Sequence, residues 1–342
     1  MQNSVHPLFA LIQKLCLKIG VFLLLQCFYN TIKNRIKAKR KLLKILKPQS
    51  RVRRKNQKLR FYSKGKIPVY FYPRRPYFIE RIKRSKLLRS SNNESYNQIQ
   101  MKVSLFIPCL TEHLYPESAL SMVKVLRHIG ADIEYVDGQT CCGQPAFNSG
   151  YHKEIIPLAE RFISLFHDKE YIVAPSGSCV AMVRKFYYDL DIRTELHEAR
   201  ERLANKIFEF TEFLVDVAQI DRINGSFPHR VTYHDSCHLN RELGVREQPR
   251  QLIQSIRDID FVEMEQPDLC CGFGGTFSYK FPELSISMVE RKCRFIEASG
   301  AEYCIGADSS CLMNIEGYLR KHRMKARTIH IAELLALSLS NI

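Results

Sequence analysis

From residue 101 onward, apolar and polar positions follow two alternating rhythms. Short apolar runs at 103–108, 133–136 and Tyr171–Ala174 predict strands. Between them, 117–129 places Leu120, Val123 and Leu126 at helical spacing beside Ala119 and Met122, and 154–166 does the same. Strands alternating with helices of this length predict a parallel sheet built from right-handed crossovers. The order then returns: 231–234 matches 103–107, and Tyr303–Gly306 matches Tyr171–Ala174. Between the two occurrences, 195–220 carries Leu203, Ile207, Phe210, Phe213, Leu214 and Val217 in one phase and predicts a bridging helix. The expected fold class is therefore α/β, with two pseudo-repeated parallel-sheet halves at 101–194 and 229–342 joined by a bridging helix and linker over 195–228.

Residues 1–100 follow neither rhythm. They hold 25 Lys and Arg against Glu80 and Glu94, a net of +23, whereas 101–342 hold 27 against 33 Asp and Glu, a net of −6. The overall +17 is thus a property of the first part, not of a basic globular surface. Lys14 and Lys18 interrupt the apolar stretch 8–29, and its longest clean run, 19–29, is shorter than the roughly 18 residues a spanning helix needs. The basic run 33–47 follows it, with no small-residue cleavage site, so neither a transmembrane span nor secretion is expected and the location is read as cytoplasmic. From 33 to 89, Lys and Arg interleave with Phe61, Tyr62, Tyr70, Phe71, Tyr72, Tyr77 and Phe78. Such a segment could grip phosphates and stack on bases, or stay solvated as a disordered or membrane-surface tail. The compositional break just before Met101, which directly precedes the first strand, favours a third account: a basic extension that need not be part of the native protein. Nucleic acid is not an expected partner.

Cysteine changes the picture most. Cys16 and Cys27 lie in the extension and the other ten lie beyond residue 101. Cys109, Cys141, Cys142 and Cys179 recur as Cys237, Cys270, Cys271 and Cys311, at offsets of 128, 129, 129 and 132 residues. Gly143 and Gly272 follow the two adjacent pairs. Each cysteine falls just past the C-terminal end of a predicted strand, where open α/β sheets place ligands. Helices starting after Cys179 and Cys311 would favour thiolate over thiol. Four converging thiolates ordinarily hold an iron–sulfur cluster, and glycines beside the pairs let backbone N–H groups approach sulfide. Structural zinc could also take four cysteines, although neither half has the paired C-x-x-C knuckles usual for it. Disulfides are disfavoured without secretion, and adjacent cysteines bridge only with strain.

Cys293, on a predicted helix, and Cys304, within a strand, read as small buried hydrophobes. His234 and His238 flank Cys237 as alternative ligands, proton carriers or structural histidines, and Asp235 and Asp308 read as helix caps. Phosphate-loop, nucleophile-elbow and H-E-x-x-H motifs are missing. Gly272-Phe273-Gly274-Gly275 reads as a cluster-wrapping turn, and a nicotinamide or flavin site is not supported.

These residues resemble the cysteine-rich CCG-domain iron–sulfur proteins, which include the cysteine-rich subunit of heterodisulfide reductase and the iron–sulfur subunit of glycolate oxidase, and most closely the lactate utilization protein A family. The resemblance is carried by Lys102 to Phe106, Gly138 to Tyr151, Pro175 to Cys179, Cys270 to Ser278, Gly306 to Asp308 with Cys311 to Ile315, and His330 to Glu333. It covers 101–342 and nothing earlier. It implies a cytoplasmic electron-transfer component of a complex oxidising L-lactate to pyruvate, an oxidoreductase subunit rather than a self-sufficient enzyme. Two partner subunits are implied, one of them a ferredoxin-like iron–sulfur protein. It also implies one or two iron–sulfur clusters, of the [4Fe-4S] type, on the eight repeated cysteines, and it names no catalytic residue. The heterodisulfide reductase subunit ends each motif in C-x-x-C, whereas Ser176 and Asp308 occupy the first position of those endings here. Its unusual cluster and disulfide chemistry therefore do not carry over. The alternative from a different class is a non-redox scaffold, stabilised by zinc or packed thiols, whose basic arm binds nucleic acid or lipid.

Overall fold

The computed structural model describes residues 101–339. The expectations for 1–100, Cys16 and Cys27 included, lie outside the described residues. The architecture is α/β. Strands β1 (Lys102–Leu105), β2 (Asp132–Tyr135), β3 (Tyr171–Ala174) and β4 (Ile207–Glu209) form a parallel sheet in the order β2-β1-β3-β4. Strands β5 (Arg230–Tyr233), β6 (Asp260–Phe261), β7 (Tyr303–Gly306) and β8 (Arg327–His330) repeat that order as β6-β5-β7-β8, again parallel. In chain order the helices that matter here are α1 (Cys109–Leu114), α2 (Pro116–His128), α3 (His152–Phe166), α4 (Gly177–Arg184), α5 (His197–Ala204), α6 (Glu247–Gln254), α7 (Pro282–Ala298), α8 (Ser309–Lys321) and α9 (Ile331–Ser338). Among the described residues, no helix is long and apolar enough to cross a membrane.

Both faces of each sheet are covered, as parallel strands require. One face of each contributes to a single shared core: Val103, Leu105 and Val173 of the first half cluster with Val231, Tyr233 and Ile305 of the second. Helix α9, at the end of the second half, packs on α2 of the first, and Ser118 Oγ donates to Glu333 at 2.5 Å across that contact. The opposite faces carry separate cores. Phe162 and Phe166 of α3 cluster with Phe106 in the first half, and Cys293 and Ile296 of α7 cluster with Cys304 in the second.

The bridging helix expected over 195–220 is corrected by the structure. Helix α5 ends at Ala204, the chain enters the first sheet as β4, and a helical turn at Phe210–Glu212 leads into a π-helical turn at Phe213–Val217. The free edge of β3 decides this, because its N–H and C=O groups need partners. Ile172 N donates to Lys206 O at 2.8 Å, and Ile172, Val173 and Ala174 pair with Ile207, Phe208 and Glu209. Leu203, Ile207 and Phe210 share a helical phase in sequence, yet a helix, a strand and a turn bury them just as well.

Glu209 then starts the next helical turn as a capping box, accepting from Thr211 N and Glu212 N while Glu212 bonds back to its backbone. Its carboxyl is fully buried, and burial pushes its pKa from 4.5 up to about 8. The folded state therefore holds this proton more tightly than the unfolded chain does. The associated stability is complete below about pH 4.5 and declines as pH rises towards 8, with a slope of up to about 1.4 kcal/mol per pH unit. Glu209→Gln is expected to flatten that decline, which urea unfolding at pH 5 and pH 8 would measure. An unchanged slope would assign it to another group.

Candidate metal centre

Each half delivers four thiols from three strand-end connections. In the first, Cys109 opens α1 after β1, Cys141 and Cys142 follow β2, and Cys179 lies in the first turn of α4 after β3. In the second, Cys237 follows β5, Cys270 and Cys271 follow β6, and Cys311 lies in the first turn of α8 after β7. The helices thus begin two residues before Cys179 and Cys311, not after them as expected, which brings these sulfurs closer to the positive helix end. All eight cysteines line one cavity of about 100 Å³ between the halves.

Within each foursome the sulfurs touch. Cys109 Sγ lies 3.5 Å from Cys141 Sγ, and the Cys142 thiol is within hydrogen-bonding reach of both Cys141 and Cys179. In the second half the Cys270 thiol is within hydrogen-bonding reach of Cys237 and Cys271, and that of Cys271 within reach of Cys311. Backbone N–H groups of Gly143 and Gly272 donate to Cys141 Sγ and Cys270 Sγ, each at 3.4 Å. Both glycines are left-handed, with φ of +90° and +81°. A Cβ on Gly272 would also lie 2.7 Å from Ser285 O, a backbone atom that cannot swing aside. Gly272→Ala is therefore expected to lower stability by about 1–3 kcal/mol. Gly244→Ala, at φ +71° with no atom within 4 Å, carries the dihedral strain alone and should lose less in the same unfolding assay.

The electrostatics of the two foursomes match. Cys141 is held well below the ordinary thiol range, chiefly by hydrogen bonds from Cys109 and Cys142, and Cys270 is pulled down to about 2 by Cys237 and Cys271. The neighbours move the other way. Cys109, Cys142, Cys237 and Cys271 are all raised, first by those same bonds and then by burial and thiolate repulsion. One sulfur in each group takes a negative charge easily and then opposes ionisation of its neighbours. Four thiolates become stable together only around a cation, so the donor set fits a thiophilic metal or an iron–sulfur cluster.

Ser176 and Asp308, which stand where C-x-x-C endings would begin, meet each other between the halves. Asp308 Oδ1 accepts from Ser176 Oγ and Ser178 Oγ, both at 2.7 Å, and from Ser178 N at 3.2 Å, while its Oδ2 accepts from Ser236 Oγ at 2.5 Å. The expected helix-cap role of Asp308 is thus corrected, since its side chain makes no cap bond to α8. Asp235 does not cap either. It forms a buried two-bond pair with Arg250 of α6, both bonds 2.9 Å, and Arg250 also holds Glu263. The two CCG loops approach one another as well, through Ser149 Oγ and Thr276 Oγ1 at 2.6 Å.

Of the other candidates, His234 is buried with its ring nitrogen and the sulfurs of Cys271 and Cys311 all within 4.8 Å of one another. His238 Nδ1 lies 3.6 Å from Cys237 Sγ. Cys293 of α7 and Cys304 of β7 are buried among apolar side chains and do not line the cavity. Sequence reasoning missed Tyr187, whose hydroxyl donates to Cys142 O at 3.0 Å, and Asn314, whose amide donates to Cys271 O at 2.8 Å. These two brace the adjacent-cysteine turns from different parts of each half, and no spacing in the chain links them to the pairs.

A parallel sheet whose strand-end loops gather four thiols, present twice in one chain, is the arrangement of a cysteine-rich domain, and the CCG cysteine-rich domain profile matches at residues 103–184 and again at 231–316. Relatives make the assignment narrower. The chain is 43% identical over 235 residues to Lactate utilization protein A of Oceanobacillus iheyensis, spanning 69% of this chain and 96% of that one. It is 44% identical to Lactate utilization protein A of an Exiguobacterium species, spanning 68% and 96%. The chain belongs to the lactate utilization protein A family. Among solved structures, a hypothetical protein from Helicobacter pylori shares the fold at a TM-score of 0.50 and 10% identity, over 72% of this chain and 52% of that one.

Proposed function

We propose that this chain is an iron–sulfur electron-transfer component of a cytoplasmic complex that oxidises L-lactate to pyruvate, with two partner subunits, one of them ferredoxin-like. Cys109, Cys141, Cys142 and Cys179 would hold one [4Fe-4S] cluster, and Cys237, Cys270, Cys271 and Cys311 a second. The observation that carries this is the convergence of all eight repeated cysteines on one cavity in two matching foursomes. Family membership supports the substrate class, and the grouping of the thiols supports the donor set. Each bound cluster would supply a one-electron store, and two such stores match the two electrons released when a 2-hydroxy acid becomes a 2-oxo acid. The protein's own groups do the rest. Gly143 and Gly272 steady one thiolate in each half, Tyr187 and Asn314 fix the pair turns, and the Asp308 contacts hold the two foursomes at a set separation.

One observation favours a second reading. The 3.5 Å between Cys109 Sγ and Cys141 Sγ approaches the edge of a tetrahedral single-ion thiolate site, about 3.8 Å for a Zn–S bond of ~2.3 Å. That spacing supports a zinc scaffold. The full chain prepared without oxygen distinguishes the two. Brown protein with iron, acid-labile sulfide and an EPR signal on reduction is the expected result, and colourless protein with stoichiometric zinc overturns it.

A further inference from the structure

The two halves match at the cysteines and differ immediately behind them. Phe106 N donates to Val173 O and His234 N donates to Ile305 O, so Phe106 and His234 hold equivalent places at the ends of β1 and β5. A Cβ on Gly143 would meet Ile155 and Leu158 of α3, and one on Gly272 would meet Ser285 and Met288 of α7, which aligns the two helices with Phe162 opposite Lys292. In the first half Phe106 and Phe162 form an edge-to-face pair at 4.7 Å, sealed from water. In the second half the same two places are taken by an imidazole and an ammonium, equally buried.

Burying these groups is costly unless something requires them. Lys292 Nζ faces Gln266 O and Pro267 O, each at 2.9 Å, and Met264 Sδ at 3.9 Å. All three neighbours are acceptors, a set that suits the three N–H bonds of the charged form. Burial pushes the Lys292 ammonium below its ordinary range, while the nearby sulfurs of Cys304 and Cys271 and the carboxylates of Asp235 and Asp268 oppose that shift and favour the charge. His234 has neither ring nitrogen bonded to any described residue, and it stands beside the sulfurs of Cys271 and Cys311. A buried imidazole with no other partner is a ready N–H donor to thiolate sulfur.

We propose that His234 and Lys292 make the two centres unequal, holding the one in the second half at the higher reduction potential. This rests on the iron–sulfur reading above. A nearby positive charge and an N–H to ligand sulfur both favour the more negative, reduced state, and the first half has only phenyl rings in those places. Both act as positioning and tuning groups rather than ligands. An electron shared between the centres would sit in the second half at least tenfold more often, a separation of about 59 mV for a one-electron couple.

The test is an EPR-monitored redox titration of the full chain carrying its clusters. Two midpoints are expected, and Cys142→Ala, which removes a first-half donor, should retain the higher one. Lys292→Met and His234→Phe should each lower that midpoint towards the other at unchanged iron content, while Lys292→Arg should keep it. Coincident midpoints in the unmodified protein, or midpoints unmoved by both substitutions, overturn the proposal and leave the iron–sulfur reading standing. Protein that contains no iron or sulfide overturns both.

Discussion

Replacing Cys271 with alanine is expected to remove about half of the bound iron and sulfide and leave the rest in place, and Cys142→Ala should do the same from the other side. These two are the most deeply buried members of the adjacent pairs, 2% and 3% exposed, and each bonds two neighbouring thiols of its own half. Water cannot readily replace a donor in that position, so three thiols would be left to grip the metal. The thiol contacts of Cys142 and Cys271 stay within their own foursomes, so each loss is expected to stay within its own half. Iron and sulfide analysis of both variants and of the double variant checks this. Loss of nearly all iron from either single variant would mean that the eight sulfurs serve one shared centre.

Asp308→Ala should lower the stability of the folded chain by at least 3 kcal/mol, read as a fall in the urea midpoint. Its carboxylate is 1% exposed and accepts from three hydroxyls and one backbone N–H drawn from both halves. Each buried donor left without a partner costs about 1–3 kcal/mol, and rotation of the serine hydroxyls recovers only part of that. Asp308→Asn keeps one acceptor oxygen and the side-chain shape, so a smaller loss is expected. A change within about 0.5 kcal/mol for Asp308→Ala would show that its contacts contribute little to holding the halves together.

The strands at 103–105, 171–174, 231–233 and 303–306 were legible because burial on both sheet faces leaves short runs that are apolar but for the small buried hydroxyls of Ser104 and Thr232. The cysteine repeat was legible because duplication copies spacing, and spacing fixes where a side chain leaves the sheet edge. The stretch 195–220 was not, since apolar residues three and four apart satisfy a helix and also a helix that breaks into strand and turn, and only the open edge of β3 chooses between them. Asp235 and Asp308 misled for a related reason. An acid just before a helix satisfies a local rule, but Arg250 and the serines that claim these two come from elsewhere in the chain. The nearness of His234 and Lys292 is likewise invisible in sequence, because 58 residues separate groups that the fold brings within electrostatic reach of one another.

The meeting of Ser176 with Asp308 also bears on why one polypeptide carries both repeats. In a homodimer of single repeats, any residue on the axis faces its own copy, so an acid there would confront a second acid in a dry environment and one of the two would have to stay protonated. Covalent fusion lifts that restriction. Hydroxyls can stand on one side of the former axis and a carboxylate on the other, a heterologous joint that two identical chains cannot build.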